Sequence, residues 1–410
     1  MNAARSVSGP TTIKERFEVL DALRGFALFG ILLANLVSFF GYFAVNPEDI
    51  VALPISDLSV LFLIDWFVEG KFYGLFSILF GIGFGLQAGR MAEMPESFRR
   101  YWYRRMIVLL VIGLSHMVFI WNGDILTLYA LLGMLLPVFL GLSDKALIRW
   151  IVGLLIAPIV IFFVTYGTSD ASFWGLLSSR SAALKADLGY GGRTLLEMRT
   201  SASPPEVFWA NALSVIPRPM SYLLSGRYPQ VLGLFLCGLL LARRLPSMVA
   251  DGIPMNRATF IAFLVGLACS FAYGWTRAVT GTPYALTPIG AFQAVVYHVG
   301  APLLSLAIGW AFLTVWRRAP EAAVFRHLAT LGRMALTNYL FQTTASVVLF
   351  FGYGFGLMGA FPYVLLPGFA AAILLCQWLM SRWWLRHHAQ GPLETVWKRL
   401  AYPPRPRTPS

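Results

Sequence analysis

The sequence predicts an all-α fold: a polytopic integral membrane bundle of about ten transmembrane helices with both termini cytoplasmic. Three observations carry this. Apolar stretches such as 26–43, 106–121, 125–142, 260–275 and 363–380 recur along the 410 residues and meet or approach the roughly 20 residues needed to cross a hydrocarbon core of about 30 Å. Hydrophobic residues make up 58% of the chain and charged residues 12%, half of what a soluble domain carries (about 25%). The net charge of +13 sits in the connections between stretches, where it sets topology and gives no reason to expect nucleic acid. In lipid, only helices or closed barrels satisfy their own backbone, and stretches of this length are helices.

The spans are read in order at 22–45, 60–89, 103–121, 124–141, 146–166, 228–245, 257–277, 289–316, 331–352 and 362–384. Five fall in an N-terminal membrane bundle, 22–166, and five in a C-terminal one, 228–384. Residues 1–21 and the basic, proline-rich tail 385–410 flank them. One side collects Lys14, Arg16 and Arg24, then Arg90, Arg99, Arg100, Arg104 and Arg105, then Lys145 and Arg149, Arg243, Arg244 and Arg257, Arg317, Arg318, Arg326 and Arg333, and the tail. The other side holds turns near Asn122, Thr280 and Gly356 that are almost free of basic residues. The positive-inside rule places the first side, with both termini, in the cytoplasm. The region 167–227 is the one large external connection. Its stretch 207–224, interrupted by Pro217, Arg218 and Pro219, is expected to be interfacial or re-entrant, because a full span there would put Arg243, Arg244, Arg317 and Arg318 outside.

The start of the chain is polar and has no apolar run ahead of a small-residue site, so an uncleaved first span is expected. Cys237, Cys269 and Cys376 all lie in apolar runs without paired spacing, which suggests neither a disulfide framework nor a metal site. In the second span Ser77, Gly81, Gly85 and Gly89 recur every four residues, a ladder that suits close helix packing and has the wrong spacing for a nucleotide loop. P-loop, HExxH and GxSxG motifs are absent from the sequence, so ATP-driven transport, zinc proteolysis and serine hydrolysis lack support.

Polar residues inside apolar spans cost about 2.5–3.5 kcal/mol each when charged, and so mark candidate sites. Asp21, Arg24 and Asn35 share one face of the first span, since eleven residues at ~100° return nearly to the same angle. Asn35 lies about 16 Å deeper than Arg24. The three read either as a polar track toward the membrane middle or, for Asp21 and Arg24, as an anchor at the helix end. Arg105 and His116 repeat the eleven-residue spacing in the third span. His116 then sits about 7 Å below the turn Asn122–Gly123–Asp124, and Asp124 can reach back to it. A carboxylate that orients an imidazole makes a general base suited to neutral pH; the alternative is a structural histidine bonded to a carbonyl. His298 stands mid-span with no acidic neighbour in sequence, either structural or channel-lining. Asn338, Gln342 and Ser346 form a polar stripe in the ninth span, which fits helix–helix contacts as well as substrate contacts.

The run Arg16-Phe-Glu-Val-Leu-Asp-Ala-Leu-Arg-Gly resembles the opening of the YeiB-like family of bacterial inner-membrane proteins. Further blocks agree: Lys71-Phe-Tyr-Gly-Leu-Phe-Ser, Ile112-Gly-Leu-Ser-His through Trp121-Asn-Gly-Asp, Gly332-Arg-Met-Ala-Leu-Thr-Asn-Tyr and Gly391-Pro-Leu-Glu-Thr-Val-Trp-Lys-Arg. That family is similar in turn to the wider transmembrane acyltransferases, which share the Asp-x-x-Arg-Gly opening. The resemblance implies acyl-CoA as co-substrate without a metal, Arg24, Arg105 and Arg333 at the CoA phosphates, and His116 as base with Asp124. It further implies an external sugar or lipid-linked hydroxyl or amine as acceptor, and on this reading the polar residues of the spans, Asp21, Asn35, Asn338, Gln342 and His298, line the channel. Many of those O-acyltransferases carry a histidine late in the first span where this chain has Asn35. The implied setting is a multi-pass protein of the bacterial inner membrane, with lipid around it, and a homodimer is compatible with it. A transporter of small solutes or lipids, its path lined by the same stripes, is the alternative.

Overall fold

The computed structural model describes residues 18–168, 172–252 and 254–401. Lys14, Arg16, the rest of 1–17 and the end of the tail, 402–410, lie outside them. The described residues form nineteen α-helices and no strand. The first half runs α1 (Glu18–Phe39), α2 (Pro47–Val51), α3 (Ile55–Phe67), α4 (Lys71–Arg90), α5 (Pro95–Phe119), α6 (Leu126–Gly133) and α7 (Asp144–Thr168). A connecting group follows: α8 (Ser172–Asp187), α9 (Leu195–Thr200), α10 (Pro204–Val215) and α11 (Arg218–Leu224). The second half is α12 (Arg227–Ala242), α13 (Leu245–Asp251), α14 (Arg257–Thr280), α15 (Pro288–Arg318), α16 (Ala323–Gly332), α17 (Ala335–Phe350), α18 (Leu366–Trp384) and α19 (Pro392–Ala401).

Among the described residues, seven helical stretches are long and apolar enough to cross a membrane, or up to eight if α11 and α12, bent by 69°, count as one span. By length and composition, fewer stretches qualify than the ten expected. The stretch 124–141 is broken into the eight-residue α6 and a tight turn at Leu136–Phe139 that contains Pro137. The stretches 228–245 and 331–352 reduce to α12 and α17, each of 16 residues. Sixteen residues reach only about 24 Å, short of the hydrocarbon core. All three short helices nevertheless pack inside the bundle, with buried faces that include Leu128 and Tyr129, Phe235 and Leu236, and Asn338 and Gln342.

Small residues set the closest crossings. A Cβ on Gly81 would run into the Phe235 carbonyl, and one on Gly238 into the Ile78 carbonyl, so α4 and α12 lie backbone to backbone. Gly85 faces Ala242, whereas Gly89 meets nothing and Ser77 instead hydrogen-bonds the Tyr129 hydroxyl at 2.6 Å. The second close crossing involves the opening motif. Gly25 abuts the Leu328 carbonyl and Gly332 abuts that of Asp21. This contact brings Arg333, just beyond α16, to the same end of the bundle as Asp21 and Arg24.

The two ends differ. At the basic end stand the start of α1, the end of α4, the starts of α5 and α17, and α19. At the far end Phe39 packs on Trp121, Phe350 and Phe351, with ring centroids 4.8–6.2 Å apart. The group α9–α11 clamps that end: Asn211 accepts the Asn122 N–H at 2.6 Å and donates to the Met117 and Val118 carbonyls at 2.8 and 2.7 Å.

Candidate functional site

His116 lies in the last turn of α5 and Asp124 opens the turn into α6. Asp124 Oδ2 accepts the Thr127 N–H at 2.7 Å, as a capping carboxylate does, and this holds Oδ1 against His116 Nδ1 at 2.9 Å. Both residues are buried, at 2% and 0% exposure. With Nδ1 donating to the carboxylate, Nε2 is the acceptor nitrogen, and it has no hydrogen-bond partner among the described residues. Two tyrosines complete the surroundings. Tyr222 donates to the Asp124 carbonyl at 2.7 Å, and the Tyr339 ring packs 5.4 Å from the His116 ring while its hydroxyl accepts the Ile125 N–H at 3.4 Å.

A cavity of about 400 Å³ opens at the basic end. Arg24, Arg90, Arg105, Arg333 and Lys398 line it against only two acids, Asp21 and Glu394. Its deeper walls are apolar, with Phe76, Leu79 and Leu109, and Ile125, Tyr129 and Tyr339 also line it. Tyr339 therefore touches both the cavity and the His116 ring. The mouth is held rigidly. Arg24 pairs with buried Asp21 at 2.8 Å. Arg105 lies 3.9 Å over the Trp397 ring and donates to the Tyr101 hydroxyl at 2.9 Å, and the Trp397 N–H bonds back to the Arg105 carbonyl at 2.8 Å. Arg333 donates to the Ala389 carbonyl at 2.9 Å.

α19 is the element that the sequence reading did not foresee, because 385–410 reads as a basic tail. Glu394 instead caps α17, accepting the Leu336 and Thr337 N–H groups at 2.7 and 3.0 Å and the Thr337 hydroxyl at 2.6 Å. The tail thus supplies a wall of the cavity. The signal was present as an alternation of Leu393 and Trp397 with Lys398 and Arg399 at helical spacing.

The structure brings Asp21, Arg24, Arg105 and Arg333 together and separates the other expected channel residues from them. From α1 the cavity takes Leu20, Asp21, Arg24 and Ile31, and Ile31 lies about 6 Å short of Asn35 along the helix. Asn35 is half-buried and outside the lining, so the polar track does not continue to it. Asn338 ties helices together: its side-chain amide donates to the Leu331 carbonyl at 2.9 Å and to Ser381 at 3.0 Å, and its backbone carbonyl accepts from Gln377 at 2.6 Å. Gln342 is buried with both amide atoms lacking partners among the described residues, again outside the lining.

His298 belongs to a different cluster. Its Nδ1 is 3.1 Å from Gln230 Oε1, and its ring packs against Tyr284 and Tyr297. Nearby, Tyr297 reaches Glu69 at 3.4 Å, buried Lys71 donates to the Asp65 carbonyl at 2.6 Å, and Asp65 pairs with Arg277 at 2.6 Å. The sequence reading passed over these residues, although Asp65, Glu69 and Lys71 stand within the apolar second span and the cost of intramembrane charge applies to them equally. Tyr339 was overlooked for a different reason: a tyrosine in an apolar helix is ordinary until its neighbours are known.

Residues 253–404, from just before α14 through α19, match the model of a family described as a protein of unknown function (DUF418). Along nearly its whole length the chain is similar to the uncharacterized protein YxaH of Bacillus subtilis (strain 168), 28% identical over 406 residues and 96% of each chain. It is similar also to the uncharacterized protein YeiB of Escherichia coli (strain K12), 29% identical over 404 residues, covering 94% of this chain and 96% of that one. An uncharacterized 39.9 kDa protein in the amylase 3' region of Bacillus acidopullulyticus is 27% identical over 400 residues, 96% of each chain. No solved structure matches. The likeness to YeiB and YxaH therefore spans both the cavity and the His116–Asp124 pair.

Proposed function

We propose that this chain is a YeiB-like protein of the bacterial inner membrane that transfers an acyl group from cytoplasmic acyl-CoA to an acceptor at the far side of the bundle. The observation that carries the reading is a cavity with a strongly basic mouth and apolar walls that include Tyr339, the residue whose ring packs against buried His116 of the His116–Asp124 pair. Arg24, Arg90, Arg105, Arg333 and Lys398 supply charge for the coenzyme phosphates, and the apolar walls suit a thioester arm. Arg105 and His116 are about 16 Å apart along α5. In the transfer, His116 Nε2 takes the proton of an acceptor hydroxyl or amine. The freed lone pair forms a bond to the thioester carbonyl carbon, the C–S bond breaks, and coenzyme A leaves as a thiolate that is then protonated. Asp124 holds Nδ1–H and offsets the imidazolium charge. Tyr339 and Ile125 stand between the cavity and the histidine, so side-chain movement at Tyr339 belongs to this mechanism.

Calorimetric titration of acetyl-CoA into the detergent-purified protein tests it. Wild type should bind, Arg24→Ala should bind at least tenfold more weakly, and His116→Ala should bind normally while releasing no coenzyme A in membranes that sustain release by wild type. Failure of wild type to bind either acetyl-CoA or a long-chain acyl-CoA would sink the reading. The 69° bend between α11 and α12 favours a second reading, a transporter with a broken helix. That reading expects solute flux in sealed vesicles without any acyl donor.

A further inference from the structure

Two arginines at the far end are built into the surroundings of His116 and form no salt bridge among the described residues. Arg199, from α9, donates to the Asn122 side chain at 2.9 Å, and its backbone carbonyl accepts the Gly352 N–H at 2.8 Å. Arg218, at the start of α11, lies 4.6 Å over the Tyr222 ring. Tyr222 in turn donates to the Asp124 carbonyl, so both arginines are tied to the Asn122–Asp124 turn that supplies the carboxylate of the His116 pair. Each has a buried Nε without a hydrogen-bond partner, and neither forms a salt bridge among the described residues. The nearby carboxylates pair with Arg193 instead, which lies 2.8 Å from Glu206 and 3.5 Å from Glu197.

The two guanidinium groups are within electrostatic reach of each other, and burial together with the Arg218 charge holds Arg199 down to about 10. A second positive charge within electrostatic reach and a buried donor without a partner each favour an anion beside these groups. Planar guanidinium forks match phosphate oxygens in both geometry and charge. We propose that Arg199 and Arg218 bind a phosphate group, and that the acceptor of the proposed transfer is a phosphorylated hydroxyl compound whose phosphate docks here. The claim about the acceptor rests on the acyltransferase reading; the anion site does not.

The test is calorimetric titration of glycerol phosphate, and separately of glycerol, into the full-length protein in detergent. Wild type should bind glycerol phosphate and not glycerol. Arg199→Gln and Arg218→Gln should each weaken binding at least tenfold, and Arg199→Lys, which keeps the charge but loses the planar fork, should fall between wild type and Arg199→Gln. Coenzyme A binding at the basic end, measured on the same preparations, reports whether each variant is folded. Repeating the titration in nanodiscs distinguishes sources: a phosphatidylglycerol bilayer that blocks glycerol phosphate, where phosphatidylcholine does not, identifies the lipid headgroup, and equal binding in both identifies a soluble phosphate. Equal affinity for glycerol and glycerol phosphate, or binding unchanged in both glutamine variants, overturns the site. Glycerol phosphate binding without any acyl-CoA binding leaves the anion site standing and removes the acyltransferase reading.

Discussion

Asp65 and Arg277 show how much a single pair of residues can hold in place. The pair is 2.6 Å apart with side chains 9% and 6% exposed, and Arg277 also lies 4.7 Å over the Tyr42 ring, joining α3 to α14 and to the end of α1. Removing one partner strands a buried charge, at a cost of about 3–5 kcal/mol, whereas replacing both with apolar residues of similar volume is often close to neutral. Asp65→Leu and Arg277→Leu should therefore each lower the thermal transition in detergent markedly, and the double variant should recover most of the loss. A double variant as unstable as the sum of the singles would show that the pair is not coupled. His116 and Asp124 have a different character. Their 2.9 Å contact leaves one ring nitrogen unpartnered among the described residues, which a purely structural pair has no need to do.

At the level of elements, α19 governs the mouth of the cavity. Ala401 and the half-buried Leu393 and Trp397 face the bundle while Arg399 is exposed. Glu394 is the joint, because its carboxylate accepts the amide groups of Leu336 and Thr337, the second and third residues of α17. Glu394→Ala should cost about 1–2 kcal/mol, as loss of a helix cap does. It should also speed amide hydrogen exchange across 392–401 and 335–338 by tenfold or more, while exchange in α14 stays unchanged. Exchange that does not change in α17 would show that the cap is dispensable. The α1–α16 crossing is the complementary element. Gly25 and Gly332 each sit against backbone, so here the motif glycine is a packing residue and the arginine before it lines the cavity.

For the whole molecule, charge distribution sets orientation. Arg24, Arg90, Arg105 and Arg333 gather at one end, and the turns at the other carry few basic residues. The positive-inside rule then expects the cavity to open to the cytoplasm. With Cys237, Cys269 and Cys376 replaced by alanine, Ala360→Cys should react with a membrane-impermeant maleimide in intact cells. Ala319→Cys should react only after permeabilisation. The reverse pattern would invert the topology and with it the direction of the proposed transfer. Arg199 and Arg218 would then be cytoplasmic, so the same labelling also orients the anion site.

Some of this was written in local spacing and some was not. The membrane class, the basic side and the meeting of His116 with Asp124 follow from run length, charge placement and a short turn, quantities that depend on neighbours in the chain. The grouping of Asp21, Arg24 and Arg105 was legible for the same reason, since helical periodicity puts each on a definite face and the charge pattern puts all of them at one end. The number of full spans was not, because a run of apolar residues does not reveal that Pro137 breaks one helix or that Glu394 starts another from 58 residues away. Nor were the contacts of Asn338, which bonds to α18, of Tyr339, which lines the cavity and packs on the His116 ring, or of Arg199 and Arg218, whose positions depend on α9–α11 folding back over α5. Sequence by itself determined that the chain is built of long apolar helices suited to a membrane and which end is basic, since apolar run length and charge placement are read residue by residue. Only the tertiary structure decided which polar residues share a cavity, because that depends on how short and long helices cross, and the crossings are set by contacts between residues far apart in the chain.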